Sequence, residues 1–208
     1  MEFHSTKLAT LFYSELWWLA NSIVKKCDSI FSKTLVPERG YIIQVDPEIH
    51  ALISSVLSDA ANVKKLMTAG DKKKSGESGE LFRLRRDRVR ELREYLSGIE
   101  LKELLNPKVR NTLEHFDEYL DSANYEVSRR DTPLGTMAAY NMVISHWDVA
   151  RPRFYPVKLY ISAERKFYNM KWSVDLGAIQ NEAQAIVSKM KALPAFATDE
   201  VVGVLIRV

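Results

Sequence analysis

Residues 6–31 read TKLATLFYSELWWLANSIVKKCDSIF, and this segment decides the fold. Its apolar residues recur every three or four positions, as they do along one face of an α-helix. They are Leu8, Leu11, Phe12, Leu16, Leu19, Ile23 and Ile30. Polar residues interrupt the apolar stretch from Leu8 to Val24, which is also too short to cross a bilayer comfortably. The segment therefore predicts a long helix buried in a protein core, and no membrane association.

Three more segments of the first two thirds of the chain have helical periodicity. They cover about 46–67, 80–97 and 106–123. The first of these begins at Asp46-Pro47, a favourable cap residue followed by the residue that tolerates the first helical position best. The last begins in the same way at Asn106-Pro107. Four helices joined like this predict an antiparallel helical bundle over residues 1–132.

The character of the sequence changes after Pro133-Leu134-Gly135. Runs rich in Tyr, Val, Ile, Phe and Trp, separated by turn-like breaks, are typical of strands. They occupy 139–147, 156–162 and 166–174, and a shorter β-like run lies at 41–45. A helix at about 175–192 and a final strand at 201–206 follow. We expect a mainly α protein, in which residues 133–208 add a small antiparallel β appendage and a closing helix to the bundle, packed on it as one domain.

The composition of the chain is that of a globular protein without disulfide bonds. A chain of 208 residues with 46% hydrophobic and 27% charged residues forms a sizeable core and is not disordered throughout. Cys27 is the only cysteine, which excludes intrachain disulfides and cysteine-based metal sites and favours the cytoplasm. The N-terminus lacks the basic and apolar regions of a signal peptide. No histidine spacing indicates a metal and no phosphate-cradling glycine motif indicates a nucleotide cofactor, and we expect neither.

Positive charge is concentrated in residues 64–94, where eleven Lys and Arg residues outnumber six Asp and Glu residues. Two interpretations are open. The segment can be a solvated helix face, since Asp87, Glu91 and Glu94 are interspersed with the arginines. Alternatively, it can bind RNA phosphates. The residues expected to do so are Lys72, Lys73 and Lys74 in a glycine-rich loop and Arg85, Arg86 and Arg88 on the following helix.

The hexapeptide from Arg110 to His115, RNTLEH, is the strongest candidate for a functional site. Arg110 lies near the start of its helix, where the helix dipole disfavours a cation by roughly 0.3–1 kcal/mol. Either Arg110 pairs with Glu114 one turn later, or the helix start and the guanidinium together form an anion site. His115 has the pKa range of a general acid or base, but a lone helical histidine can equally be structural.

The sequence Arg110-Asn111-x-x-x-His115 resembles the Arg-polar-x-x-x-His motif of the HEPN superfamily. These helical-bundle proteins include many RNases of toxin–antitoxin and other defence systems. The resemblance implies metal-independent RNA cleavage, in which His115 transfers a proton and Arg110 stabilises the charged phosphorane. Asn111 would orient the phosphate or the arginine. It also implies a site shared between two chains of a homodimer and, for a toxin, a cognate antitoxin.

The apolar residues Phe12, Trp17, Trp18 and Leu19 cover more of the first helix than one side of a bundle needs, and together with the resemblance this favours a two-fold homodimer. Some HEPN members keep the fold without cleaving RNA. A catalytically silent dimeric scaffold or regulatory module is therefore the alternative function.

Elsewhere, His146-Trp147-Asp148 is assigned to packing within a strand.

Overall fold

The computed structural model describes residues 2–129, 137–149, 154–196 and 206. Within these ranges the chain forms six α-helices and five β-strands. The helices are α1 (Ala9–Lys33), α2 (Pro47–Met67), α3 (Gly79–Tyr95), α4 (Lys108–Glu114), α5 (Phe116–Ser128) and α6 (Leu176–Met190). The strands are β1 (Ile43–Gln44), β2 (Met137–Ile144), β3 (Phe154–Ile161), β4 (Lys166–Asn169) and β5 (Trp172–Asp175). The mainly helical class is confirmed, whereas the predicted final strand, except for Ile206, and the 132/133 boundary lie outside the described residues.

Helix α1 forms the centre of the core. Its inward face is fully buried and packs against α2 on one side and α6 on the other. The face consists of Leu16, Ala20, Ile23, Cys27 and Ile30. Each large aliphatic side chain buried in this way stabilises the fold by about 1.5–3 kcal/mol. Burial also raises the pKa of the Cys27 thiol to about 12, so the thiol stays protonated. In the described part of the chain, no helix has the length and apolar character that a membrane span needs.

Helix α2 begins as its sequence predicts. Asp46 is the cap residue, its Oδ1 accepts a hydrogen bond from the Glu48 N–H at 2.8 Å, and Pro47 occupies the first helical position. The prediction of one helix over 106–123 differs from the structure, because the backbone breaks at His115 (φ −112°, ψ 46°) and separates α4 from α5. Apolar periodicity continues through a break of this kind, so it cannot reveal the break.

The five strands form one sheet in the order β1-β2-β3-β4-β5. Strands β2 and β3 run parallel, and the other neighbours are antiparallel, so the prediction of a purely antiparallel sheet is wrong. A short apolar run fits a strand of a parallel sheet as well as a strand in the core of a sandwich, so it does not reveal strand direction. The predicted strand at 166–174 is a hairpin, β4–β5, that turns at Met170 with a φ of 55°.

The sheet buries side chains on both faces. Val143, Tyr160 and Phe167 belong to the main core shared with the helices. Ile144 and Leu159 belong to a second cluster, against which Trp147 and Tyr168 pack. The segment Trp147–Val149 is a 3-10 turn and not part of a strand, and the Trp147 ring meets the Tyr168 ring edge to face at 5.1 Å.

Two polar side chains hold α4 against the rest of the fold. Asn169 is fully buried at the end of β4, and its Nδ2 donates to Thr112 Oγ1 of α4 at 2.9 Å. Its Oδ1 accepts from the backbone N–H of Lys158 in β3 at 3.1 Å. On α6, the Glu182 carboxylate accepts three backbone N–H groups of residues 102–104 at 2.8–3.0 Å. The position of α4 is therefore fixed by specific hydrogen bonds as well as by apolar packing.

We expect Asn169→Ala to lower the free energy of unfolding by about 1–3 kcal/mol, because it leaves the Lys158 N–H without its partner and removes one hydrogen bond of the Thr112 hydroxyl. Urea unfolding followed by circular dichroism measures the change. Asn124→Ala, at an exposed position of α5, is the control and should alter stability by less than about 0.5 kcal/mol. Equal stability of the two variants would show that the Asn169 bridge does not hold α4.

Candidate functional site

Arg110 and Asn111 line a cavity of about 320 Å³ between α4 and the second half of α2. Lys64 and Lys65, in the last turn of α2, line the same cavity. Three cationic side chains therefore surround one concave surface, a composition suited to a phosphate group. The Arg110 side chain is 25% exposed and forms an ion pair with Glu114, one turn along the helix. Of the two outcomes left open by the sequence, the local ion pair is present, and Arg110 also lies beside Lys64 and Lys65 at a concave surface.

His115 lies apart from this cavity. It occupies the break between α4 and α5, its side chain is 57% exposed, and it does not line the cavity. Its Nδ1 is 3.8 Å from Glu118 Oε1. The structure thus brings Arg110 and Asn111 together within one chain and leaves the His115 imidazole facing solvent, where a group from outside the chain can reach it.

Lys64 and Lys65 were not selected by the sequence analysis. The sequence feature that could have identified them is their position in the last turn of α2, where the negative end of the helix dipole attracts cations. Their convergence with Arg110 depends on how α2 packs against α4, which the sequence pattern does not give. The cavity also contains the Thr68 side chain, whose Oγ1 donates to the Lys64 carbonyl at 2.7 Å.

Arg85 is held in a local ion pair. Its Nε and Nη2 donate to the two carboxylate oxygens of Glu77 at 3.0 and 2.9 Å, and Nη2 also contacts the Lys72 carbonyl. The Arg85 guanidinium and the backbone N–H of Lys74 lower the pKa of Glu77 to about 2, so the pair persists at neutral pH. Arg85 therefore ties the loop to α3. The side chains of Lys72, Lys73 and Lys74 in that loop are exposed.

Arg88 and Arg93 contact the C-terminal end of α2. Arg93 Nε donates to the Met67 carbonyl at 2.9 Å, and Arg88 Nη2 to the Lys65 carbonyl at 3.4 Å. Carbonyls at a helix end lack partners within the helix and attract cations. The Arg88 guanidinium also lies over the Phe12 ring at 5.0 Å, and its burial lowers the pKa of Arg88. Part of the arginine cluster is therefore explained by helix capping and packing.

A groove of about 530 Å³ along α3 is lined by Arg93 and by three further arginines. Arg83, Arg86 and Arg90 follow one another at spacings of three and four residues, and so share a helix face. Asp87 also lines the groove, and its Oδ1 lies 3.0 Å from Arg90 Nη2. Arg83, which the sequence analysis did not select, has no ion-pair partner among the described residues. Of the arginines selected earlier, the structure places only Arg86 in this groove.

The apolar surface expected to mediate dimerisation is largely internal. Trp17 is 2% exposed and stacks with Phe196 at 6.1 Å, and Leu19 is also buried. Phe12 is half-buried and packs against Phe3 at 5.4 Å. Trp18 is 51% exposed. The outer face of α1 therefore offers less apolar surface than the sequence suggests.

A cavity of about 240 Å³ lies at the other end of the α2–α4 interface and contains His50. Neither ring nitrogen of His50 has a partner at hydrogen-bond geometry within the described residues. Burial lowers the pKa of His50, and the charge of Lys158 acts in the same direction, while the Asn141 backbone and Asp46 oppose the shift. His50 is therefore neutral at pH 7. The sequence analysis assigned no role to this residue.

Comparisons with known proteins indicate neither a family nor a function for this chain. No protein-family model, curated protein or solved structure matches the chain. Over the described ranges, no group of three or more His, Cys, Asp or Glu side chains is arranged to hold a metal ion.

Reversing the charge of the groove arginines tests whether the groove binds RNA. We expect the double variant Arg83→Glu/Arg86→Glu to weaken binding of single-stranded RNAs of different sequence by a similar factor. It should also reduce the dependence of affinity on salt, because fewer counterions are released. Fluorescence anisotropy over a salt series measures both effects. Arg39→Glu, an exposed residue outside the groove, is the control.

Unchanged affinity and salt dependence in the folded double variant would support the solvated-face interpretation of α3. Arg85→Glu and Arg88→Glu should behave differently, since their side chains bind Glu77 and the end of α2. We expect these two variants to lose thermal stability as well as any contribution to RNA binding.

Acidification tests the environment of His50. The pKa of His50 in the folded state lies below the unfolded value of about 6.5. As the pH falls through that value, the unfolded state therefore binds more protons than the folded state. The contribution of neutral His50 is present above that pH and is lost below it. We expect the free energy of unfolding to decrease between about pH 7.5 and pH 5.5, and to decrease less in His50→Leu. Urea unfolding at both pH values decides this, and equal pH dependence of the two proteins would contradict it.

Proposed function

We propose that this protein is a metal-independent endoribonuclease of the HEPN type, whose active site combines Arg110 and Asn111 of one chain with His115 of a second copy. The supporting observation is the placement of Arg110 and Asn111 in a cavity with Lys64 and Lys65, while His115 faces solvent at the break after α4. The cavity supplies the cationic half of a phosphodiester site. His115 supplies an imidazole that is accessible to a partner chain.

The chemistry assigns one role to each side chain. His115 accepts the proton of a ribose 2′-hydroxyl, whose oxygen attacks the adjacent phosphorus. Arg110 stabilises the additional negative charge on the phosphorane, and the Asn111 amide orients the phosphate. The bond from phosphorus to the 5′-oxygen then breaks, and that oxygen takes up a proton. The products are a 2′,3′-cyclic phosphate and a 5′-hydroxyl.

The ion pair between Arg110 and Glu114 affects substrate binding. Arg110 has five N–H donors in a planar fork, so it can engage a phosphate while keeping one contact with the Glu114 carboxylate. Lys64 and Lys65 offset the negative charge of Glu114 near the phosphate. We infer that Glu114 holds the guanidinium in place before RNA binds.

The larger architecture is part of the same proposal. The helices would form a HEPN-type antiparallel bundle, and two bundles would pair with two-fold symmetry so that each His115 meets the Arg110 cavity of the other chain. The protein would act in the cytoplasm, either as the toxin of a pair with a cognate antitoxin or in another defence system. The arginine groove of α3 would add affinity for RNA without sequence preference.

A catalytically silent dimeric scaffold is the second candidate. It is favoured by the Arg110–Glu114 ion pair, which already provides the arginine with a partner, and by the separation of His115 from the cavity within one chain. In such a protein the same residues would stabilise α4 or the dimer. The two functions differ in whether Arg110 and His115 act on RNA as a unit.

Complementation between two inactive variants separates these functions. Arg110→Ala and His115→Ala should each reduce RNA cleavage by about 10²–10⁴-fold. When the two variants are mixed and allowed to exchange subunits, half of the dimers contain both chains, and each of these has one intact composite site. Cleavage should then recover to about a quarter of the wild-type rate. Gel analysis of RNA products in EDTA measures the recovery and identifies the 2′,3′-cyclic phosphate.

Several outcomes count against the proposal. A monomer mass by light scattering at micromolar concentration excludes a composite site. Failure of the mixed variants to recover activity indicates that any cleavage uses residues of one chain. Full activity of both single variants supports the scaffold, as does a severe loss of thermal stability in His115→Ala. Arg39→Ala and His4→Ala, at exposed positions, are the matched controls and should cleave RNA like the wild type.

A further inference from the structure

The segment between α1 and α2 exposes a cluster of large apolar side chains. Of the fourteen such side chains that the described residues expose, five lie within residues 35–45, with exposed fractions between 37% and 71%. They are Leu35, Val36, Tyr41, Ile43 and Val45. Single exposed apolar residues are common on protein surfaces, but a cluster of them marks an interaction site. This segment is therefore a candidate interaction surface.

Strand β1 forms one edge of the sheet, and its outer side is unpaired. The Ile42 carbonyl accepts a hydrogen bond from the Ser145 N–H at 3.0 Å, and the Ile42 N–H donates to the Ser145 hydroxyl at 3.1 Å. Because backbone groups alternate in direction along an antiparallel strand, those of Tyr41, Ile43 and Val45 face away from β2. No hydrogen bond joins these outward groups to another described residue. The edge therefore presents donors and acceptors that a further strand can use.

The exposed side chains of Tyr41, Ile43 and Val45 share one face of the sheet, because successive side chains of a strand alternate between faces. Ile43 lies directly opposite Ile144 of β2, and directly opposite residues place their side chains on the same face. Ile144 belongs to the second apolar cluster of the sheet. The exposed row therefore extends this cluster to the open edge, where an added strand would continue it.

The edge lacks the features that usually prevent strands from pairing. Natural edge strands are protected by charged side chains, prolines or bulges. Residues 41–45 read YIIQV and contain neither a charged residue nor a proline. Uncharged runs of β-branched and aromatic residues favour strand pairing. Two copies of this segment can therefore meet without placing like charges opposite each other.

A second copy of the chain fits this edge. A two-fold axis relates two identical edges in antiparallel orientation, so that Ile43 lies opposite Ile43 of the second copy and Tyr41 opposite its Val45. The outward N–H and C=O groups then pair with one another. Side chains of this size contribute on the order of 100 Å² each when they are buried. Five of them on each copy give roughly 1,000 Å² in the pair, which reaches the lower limit of a specific interface.

We propose that β1 is a dimerisation edge, at which two copies of the chain pair their β1 strands about a two-fold axis and form one continuous sheet. Val45 and Leu113 line the same cavity, and His115 follows Leu113 by two residues. The edge and the exposed His115 imidazole therefore lie at the same end of α4. For a role in RNA cleavage this inference rests on the proposed function, whereas the pairing itself is testable without RNA.

Sedimentation equilibrium and light scattering of the full chain measure the assembly, and we expect a dimer at micromolar concentration. Ile43→Lys places a charge at the centre of the pairing. Ile43→Pro removes the outward N–H but none of the hydrogen bonds between β1 and β2. Both variants should weaken dimerisation by at least about tenfold. Leu81→Lys, at a leucine of α3 that is 55% exposed, is the matched control and should dimerise like the wild type.

Amide hydrogen exchange followed by NMR distinguishes strand pairing from any other contact between two copies. The N–H groups of Tyr41, Ile43 and Val45 should exchange slowly in the dimer, because each donates to a carbonyl of the second copy. They should exchange quickly in Ile43→Lys. Circular dichroism establishes that the variants are folded, and Ile43→Lys preserves the test if Ile43→Pro fails to fold.

The outcomes separate this inference from the proposed function. A dimer that both Ile43 variants dissociate, with protected edge amides in the wild type, supports the pairing even if no RNA is cleaved. A dimer that neither variant weakens overturns the pairing and leaves the composite ribonuclease site intact, because the two chains then meet elsewhere. A monomeric wild type overturns the pairing as well. Protected edge amides in such a monomer would show that another segment of the same chain occupies the edge.

Discussion

Burial of α1 between α2 and α6 is the interaction on which the rest of the structure depends. Ala20 and Cys27 are small enough to let the neighbouring helices approach closely, while Leu16, Ile23 and Ile30 fill the space along the contact. The Cys27 sulfur lies 3.9 Å from the Leu176 carbonyl at the start of α6. With these three helices fixed, the sheet has an apolar surface to cover, and α2 becomes the platform for both cavities of the candidate site.

The C-terminal end of α2 explains why so much positive charge gathers in one part of the molecule. Its carbonyls accept hydrogen bonds from Arg88 and Arg93, which come from another helix, and its own last turn contains two lysines. The same electrostatic attraction that stabilises a helix end also concentrates cations beside a concave surface. Capping of α2 therefore accounts for Arg88 and Arg93, and the proposed RNA binding depends on the more exposed arginines of the groove.

Helix α4 is short, so its position relies on groups outside it. The Glu182 carboxylate accepts hydrogen bonds from backbone N–H groups of the preceding loop. The Asn169 side chain connects Thr112 to the backbone of β3. Through these contacts, the Arg110 cavity and the His50 cavity are supported by the same hydrogen bonds. The break at His115 leaves its imidazole exposed to solvent and outside the Arg110 cavity, which is why the proposed function needs a second chain.

The sequence by itself determined the long helices and the start of α2, because apolar periodicity and capping residues act within a few neighbouring positions. It also selected Arg110, Asn111 and His115 as the candidate site, of which the structure brings Arg110 and Asn111 to one cavity. Tertiary structure alone decided the parallel pairing of β2 and β3, the break at His115, the separation of Arg85 from the groove, and the convergence of Lys64 with Arg110. It also revealed the His50 cavity, whose walls come from two helices and the sheet. These features arise from contacts between residues distant along the chain, where local patterns carry no information about direction or partner.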